Sequence, residues 1–191
     1  MRVISRLGVL AALLCLFSGC LPGSRTYRPV SSWEQQAFDH SNRTIFPNDV
    51  KTSLANYQNT AIAWPGIVLE NTFVDHPDAI EIQFVLEHRY YDWIEDFGAQ
   101  REKIFLSPRG EGLFRTSWLI KKESNVEEMK KFAGAGNLII VYGTPSQVND
   151  DKSILAKCTY MRGIEKQWFR TDMLDYGRPG QPVKMIRSQN K

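Results

Sequence analysis

Three cysteines, three histidines and one tight group of carboxylates are the residues of this chain whose types could do chemistry. Cys15 and Cys20 lie close together near the start, and Cys158 stands far from both. His40, His76 and His88 share no ligand spacing, and none has a Cys or His partner at a zinc-like interval. His76 shares a turn with Asp75 and Asp78. Three donor atoms there could hold an ion, but a hydrogen-bonded turn is the commoner use of such residues. His88 falls on the apolar side of an alternating segment and reads as a satisfied core or rim histidine. Asp92, Glu95 and Asp96 cluster with Tyr90, Tyr91 and Trp93. Paired carboxylates among aromatics equip sugar-cleaving sites, yet this spacing suits a solvated loop. No Gly-x-Ser-x-Gly and no Ser-x-x-Lys with its partner motifs occurs. Lys51-Thr52-Ser53 lacks the glycines of a phosphate loop, and Gly110-Glu111-Gly112 reads as a hairpin turn. The expectation is a protein without catalysis, metal or cofactor.

The cysteines near the start have a different reading. Arg2 and Arg6 precede an apolar run from Leu7 to Phe17, and Ser18-Gly19-Cys20 follows. A basic start, a short apolar stretch and small residues make a secretory signal peptide. The apolar run is shorter than the roughly 20 residues of a comfortable membrane span. An uncleaved anchor beginning at Val3 would be interrupted by Ser5 and Arg6. The end of the run, Leu16-Phe17-Ser18-Gly19-Cys20, resembles the lipobox of bacterial lipoproteins, with Phe17 where Leu is usual. The alternative is an ordinary signal peptide that happens to contain cysteines. In the lipoprotein reading Cys15 is discarded and Cys20 becomes the acylated first residue. One acyl chain holds a protein to a membrane only marginally, and two or three hold it for good. Leu21, rather than Asp, follows the cysteine, and the enterobacterial sorting rule then implies the outer membrane.

Removing residues 1–19 takes Arg2 and Arg6 away, leaving 22 basic against 21 acidic residues and a formal charge of +1. That balance offers no electrostatic case for nucleic acid, and the basic-aromatic run Glu165–Thr171 is too short to make one. Cys158 would remain as the one thiol, so no intramolecular disulfide supports the fold. It sits in an apolar, strand-like segment and reads as buried and inert.

The elements that must position these residues are short. The expected division is a leader at 1–19, a lipidated tether at 20–31 and a helical segment at 32–58. A β-barrel domain at 59–176 and a flexible Gly/Pro-rich basic tail at 177–191 complete it. Ser31 with Glu34 three places on forms a capping box, opening a helix with Trp33, Ala37 and Phe38 on one side. A second helix starting at Asn48 puts Val50, Leu54 and Tyr57 on one face. From Thr60 the chain becomes β-rich, with Pro65-Gly66 marking a bulge or bend. Ile80, Ile82, Phe84, Leu86 and His88 alternate with polar partners, the period of a half-buried strand. The chain breaks near Gly98. Two β segments then flank the Pro-Arg-Gly-Glu-Gly turn at 108–112. Ser124 caps a helix with Val126, Met129 and Phe132 spaced by three, stopped at Gly134 and Gly136. A buried strand from Leu138 is expected to end at Gly143-Thr144-Pro145, and 152–169 supplies the last strand or pair. The sum is a mainly β fold: a small OB-like Greek-key barrel with one helix between strands 3 and 4 and short N-terminal helices.

Several motifs resemble those of the Slp-type (starvation-inducible) outer-membrane lipoproteins. They are the lipobox, Ile45–Val50 before the barrel, Gly66-Ile67-Val68 in the first strand, and Ile139–Gly143. Gln167-Trp168 and then Asp175-Tyr176-Gly177 close the series. The likeness runs from Ile45 to Gly177. The resemblance implies a lipid-anchored envelope protein of stress-related role, with its domain facing the periplasm and no catalytic residues to carry over. Its expected contacts are the membrane through the Cys20 acyl chains, envelope proteins and glycan. Barrels of this class bind oligosaccharides on the face of their second and third strands. Tyr90, Tyr91 and Trp93 are therefore the candidate ligand surface, as a glycan-stacking platform or, in the plainer reading, as barrel-end packing.

Overall fold

The computed structural model describes residues 29–96, 101–122, 124, 126–171, 174–175, 178 and 184–185. Cys20, the lipobox, most of the tether and the break at Gly98 lie outside the described residues.

Five strands form a closed barrel. They are β1 (Ile62–Asp75), β2 (Ala79–His88), β5 (Leu113–Lys121), β6 (Leu138–Val148) and β7 (Ile154–Ile164). The order around the barrel is β1-β2-β5-β7-β6, returning to β1. Neighbours are antiparallel except β5 and β7, which meet in parallel over Phe114–Ile154 and Arg115–Leu155. This is the OB arrangement. Helix α4 (Val126–Phe132) lies between the third and fourth barrel strands, and Met129 and Ala133 close that end of the interior. A Cβ at Gly163 would come within 2.6 Å of Phe132, so the glycine lets the helix end approach β7.

The interior is filled by Ile62, Trp64 and Val68 of β1, Ile82, Phe84 and Leu86 of β2, and Phe114 and Ile120 of β5. The Trp64 and Phe114 rings meet edge-on at 5.5 Å. Pro65-Gly66 does not make the bulge; the register shift falls between Val68 and Glu70. Gly66 is small because a Cβ there would come within 2.7 Å of the Phe114 ring.

A second layer covers one side of the barrel. Strands β3 (Tyr91–Asp96), β4 (Arg101–Leu106) and β8 (Phe169–Thr171) form a separate three-stranded sheet. The segment around the carboxylate cluster is thus a strand, not a solvated loop, and β4 pairs with it rather than entering the barrel. Ile104, Leu106 and Phe169 pack with Leu138, Ile140 and Tyr142 of β6 in a second core. Ile139 and Val141 face the first core. A strand buried on both faces reads as a continuous apolar run, which is why "LIIVY" lacks alternation. β6 also continues past the expected turn to Val148. Gly143 admits the irregularity there, since a Cβ would strike the Lys157 carbonyl.

The N-terminal helices dock on this body. In α1 (Ser32–His40) Ser31 caps as expected, its Oγ accepting from the Glu34 amide at 3.1 Å. The buried face is Glu34 and Phe38, while Trp33 is 73 % exposed, contrary to the expected Trp33–Phe38 face. Residues four apart share a helix face, and Glu34 wins the inner place because Tyr142 and Val30 give it donors. The expected second helix is two, α2 (Pro47–Thr52) and α3 (Leu54–Tyr57), parted at Ser53, whose backbone is not helical. Beyond the barrel strands, β9 (Leu174–Asp175), at the end of the expected barrel domain, pairs with β10 (Lys184–Met185) inside the segment read as a flexible tail.

Candidate functional site

The sequence points to Tyr90, Tyr91 and Trp93. Tyr91 and Trp93 lie on β3, paired with Leu106 and Ile104, while Tyr90 precedes that strand. The Tyr90 ring is half-buried and turned inward. It meets Phe46 edge-on at 5.3 Å and His88 at 5.2 Å, and its hydroxyl donates to the Glu111 carboxylate. Burial and that anionic acceptor hold its phenol well above the ordinary tyrosine range. Tyr90 therefore belongs to the plainer packing reading. Asp92, Glu95 and Asp96 sit along one strand opposite Phe105, Glu102 and Arg101.

The histidines separate. His40 caps the end of α1, with Nδ1 2.7 Å from the Gln36 carbonyl. His76 Nε2 lies 3.5 Å from Glu81 on the surface. Among the described residues no group of three His, Cys, Asp or Glu is placed to hold a metal. His88 is fully buried. Its Nδ1 accepts from the Glu111 amide at 3.2 Å, and its Nε2 has no hydrogen-bond partner among the described residues. It is a core histidine, but not a satisfied one. Burial first, then the positive charges of Arg89 and Arg178, push its pKa down to about 3.

Around His88 the structure gathers residues the sequence reading passed over. The turn at 107–112 wraps the end of β2. A Cβ on Gly110 would strike the His88 carbonyl, and Gly112, at φ +98°, accepts from the His88 amide through its carbonyl. This close wrapping buries Glu111, whose side chain is 5 % exposed. Arg178 reaches it from the C-terminal segment. Nε and Nη2 donate to the two Glu111 carboxylate oxygens at 2.6 and 2.8 Å, and Nη1 donates to Asp49 at 2.9 Å. The guanidinium carbon stands 5.1 Å from the Phe46 ring centre. Glu111 looked like a turn residue because glycines flank it. Arg178 looked like tail because Gly177 and Pro179 do.

The outer face of β1, β2 and β5 carries a hollow of about 390 Å³ lined by Glu70, Thr72, Glu81, Gln83, Arg115 and Ser117. Arg115 is tied to Asp151 at 2.8 Å, so its charge is already matched while two carboxylates line the hollow. A groove of about 530 Å³ runs where β5 parts from β7, beside Trp118, Leu119, Leu155 and Cys158. The Cys158 thiol donates to the Tyr160 carbonyl at 3.1 Å, and burial pushes its pKa up to about 12. That is the opposite of an activated cysteine. No helix among the described residues is long and apolar enough to cross a membrane.

These features define an OB-like barrel with a covering sheet. Comparison with protein-family models and with curated proteins finds no match.

Proposed function

We propose that this chain is a non-catalytic bacterial envelope lipoprotein, anchored by an acylated Cys20. It acts in outer-membrane maintenance or stress through protein or glycan contacts made by its barrel. The observation that carries the reading is the stretch from Leu7 to Cys20, an apolar run after two arginines that ends in Phe17-Ser18-Gly19-Cys20. Residues 21–31, rich in Pro, Gly, Ser and Arg with little apolar content, suit a tether between lipid and fold. Leu21 after the cysteine favours the outer membrane.

A second reading is a periplasmic module that binds oligosaccharide or peptidoglycan. The hollow on β1, β2 and β5 favours it, because Gln83, Thr72 and Ser117 offer neutral hydrogen-bonding groups beside Glu70 and Glu81. Such a set matches sugar hydroxyls and repels phosphate.

The test is the intact mass of the N-terminal peptide recovered from membranes, with and without an inhibitor of lipoprotein signal peptidase. A diacylglyceryl-modified Cys20 at the mature N-terminus supports the anchor. An unmodified mature N-terminus elsewhere overturns it and leaves the soluble binding module.

A further inference from the structure

Arg178 is held as a ligand is held. Its planar fork meets both oxygens of Glu111, its third nitrogen meets Asp49, and its carbon lies near the Phe46 ring. Bidentate pairing and ring contact suit a guanidinium and not an ammonium. The residues of the seat are also tied to one another by bonds in which Arg178 takes no part. Phe46 donates its amide to Asp49 at 3.0 Å. Glu111 takes the Tyr90 hydroxyl and the Asn48 amide, and its own amide donates to His88. The cation, by contrast, comes from a segment whose strands, among the described residues, pair with each other as β9 and β10 and not with the barrel. Without the cation, Glu111 would be a buried carboxylate lacking its charge partner, a state strongly disfavoured.

We propose that Asp49 and Glu111, with the Phe46 and Tyr90 rings, form a receptor for an arginine side chain. Arg178 occupies it within the chain, and an arginine of another polypeptide takes the same seat when the C-terminal segment leaves. The site lies outside the sugar-like hollow and independently of the lipid anchor.

The test uses the full chain carrying Arg178→Ala, with ethylguanidinium and a capped Gly-Arg-Pro-Gly peptide as probes. The variant is expected to lose on the order of 5 °C in Tm. Millimolar ethylguanidinium should restore at least about half of that loss saturably, and ammonium should not. The arginine peptide should bind at least about tenfold tighter than its lysine counterpart. The double variant R178A/E111Q should respond to neither probe. If R178A does not fold, the yield of soluble protein on refolding with ethylguanidinium against ammonium reads the same seat. Association of R178A chains with E111Q chains would identify a second copy as the source of the arginine. Peptide binding by chains that stay monomeric in that mixture would identify another protein. No saturable response to either probe, or an equal response in R178A/E111Q, overturns the proposal.

Discussion

The carboxylate of Glu34 and the hydroxyl of Tyr142, 108 residues apart in sequence, meet at 2.9 Å in the interior. Glu34 is fully buried, and it also accepts the Val30 amide at 2.9 Å and lies 3.6 Å from an Arg162 nitrogen. One acid thereby joins the entry of α1 to the outward side of β6 and to β7.

Glu34→Ala should cost about 3 kcal/mol, because it removes a buried carboxylate that accepts the Tyr142 hydroxyl and the Val30 amide and faces the Arg162 guanidinium. Tyr142→Phe should cost about 1 kcal/mol, the worth of one hydrogen bond. The double variant should fall short of the sum, since the two groups share one interaction. Urea unfolding of the four proteins measures this.

His88 should make stability depend on pH. Its folded pKa of about 3 lies below the ordinary 6.5. The unfolded chain therefore takes up a proton between those values while the folded chain does not. Stability due to neutral His88 is complete above pH 6.5 and falls by about 1.4 kcal/mol per pH unit below it. The fall ends near pH 3, where the folded form also protonates. His88→Gln keeps an acceptor for the Glu111 amide and does not titrate. Between pH 7 and pH 5 the native chain should lose about 2 kcal/mol more than this variant, as read from urea midpoints.

Gly110→Ala should cost about 3 kcal/mol or prevent folding, because its methyl would strike the His88 carbonyl. Gly134→Ala is the control. Its Cβ would sit 3.5 Å from its nearest neighbours, an ordinary contact, and the change should stay within about 1 kcal/mol. Thermal melts of both variants decide the matter.

Cys158 should react slowly. With its pKa raised from 9.0 to about 12, its thiolate population at pH 8 falls about a thousandfold relative to an unperturbed thiol. Iodoacetamide should label the folded chain slowly and the urea-unfolded chain at the ordinary rate. Equal rates would contradict the burial.

Part of this structure was legible from local pattern. Ile82, Phe84, Leu86 and His88 alternate with polar residues, and a strand with one wet face must show that period. Ser31 announced the start of α1 because an unpaired helix amide needs an oxygen near it. Gly134 and Gly136 marked the end of α4, and the sequence of strands around one helix carried the OB-like barrel. The candidate ligand residues were less legible. Tyr90 gave no sign of whether its ring faced a ligand or Phe46, since an aromatic at a strand end serves either use.

What the sequence determined by itself was therefore the five barrel strands with the helix between the third and fourth, the start of α1 and the pattern that ends at Cys20, each a matter of neighbours along the chain. Tertiary structure decided the rest. It placed β3, β4 and β8 over the barrel, burying β6 on both sides. It turned Glu34 inward and Trp33 outward. It brought Arg178 to Glu111 across 67 residues. The covering sheet is held by apolar packing, while the other two share one physical reason. Burial of a charge is tolerable only where its partner is waiting, and partners that far apart in sequence leave no local trace in composition or period.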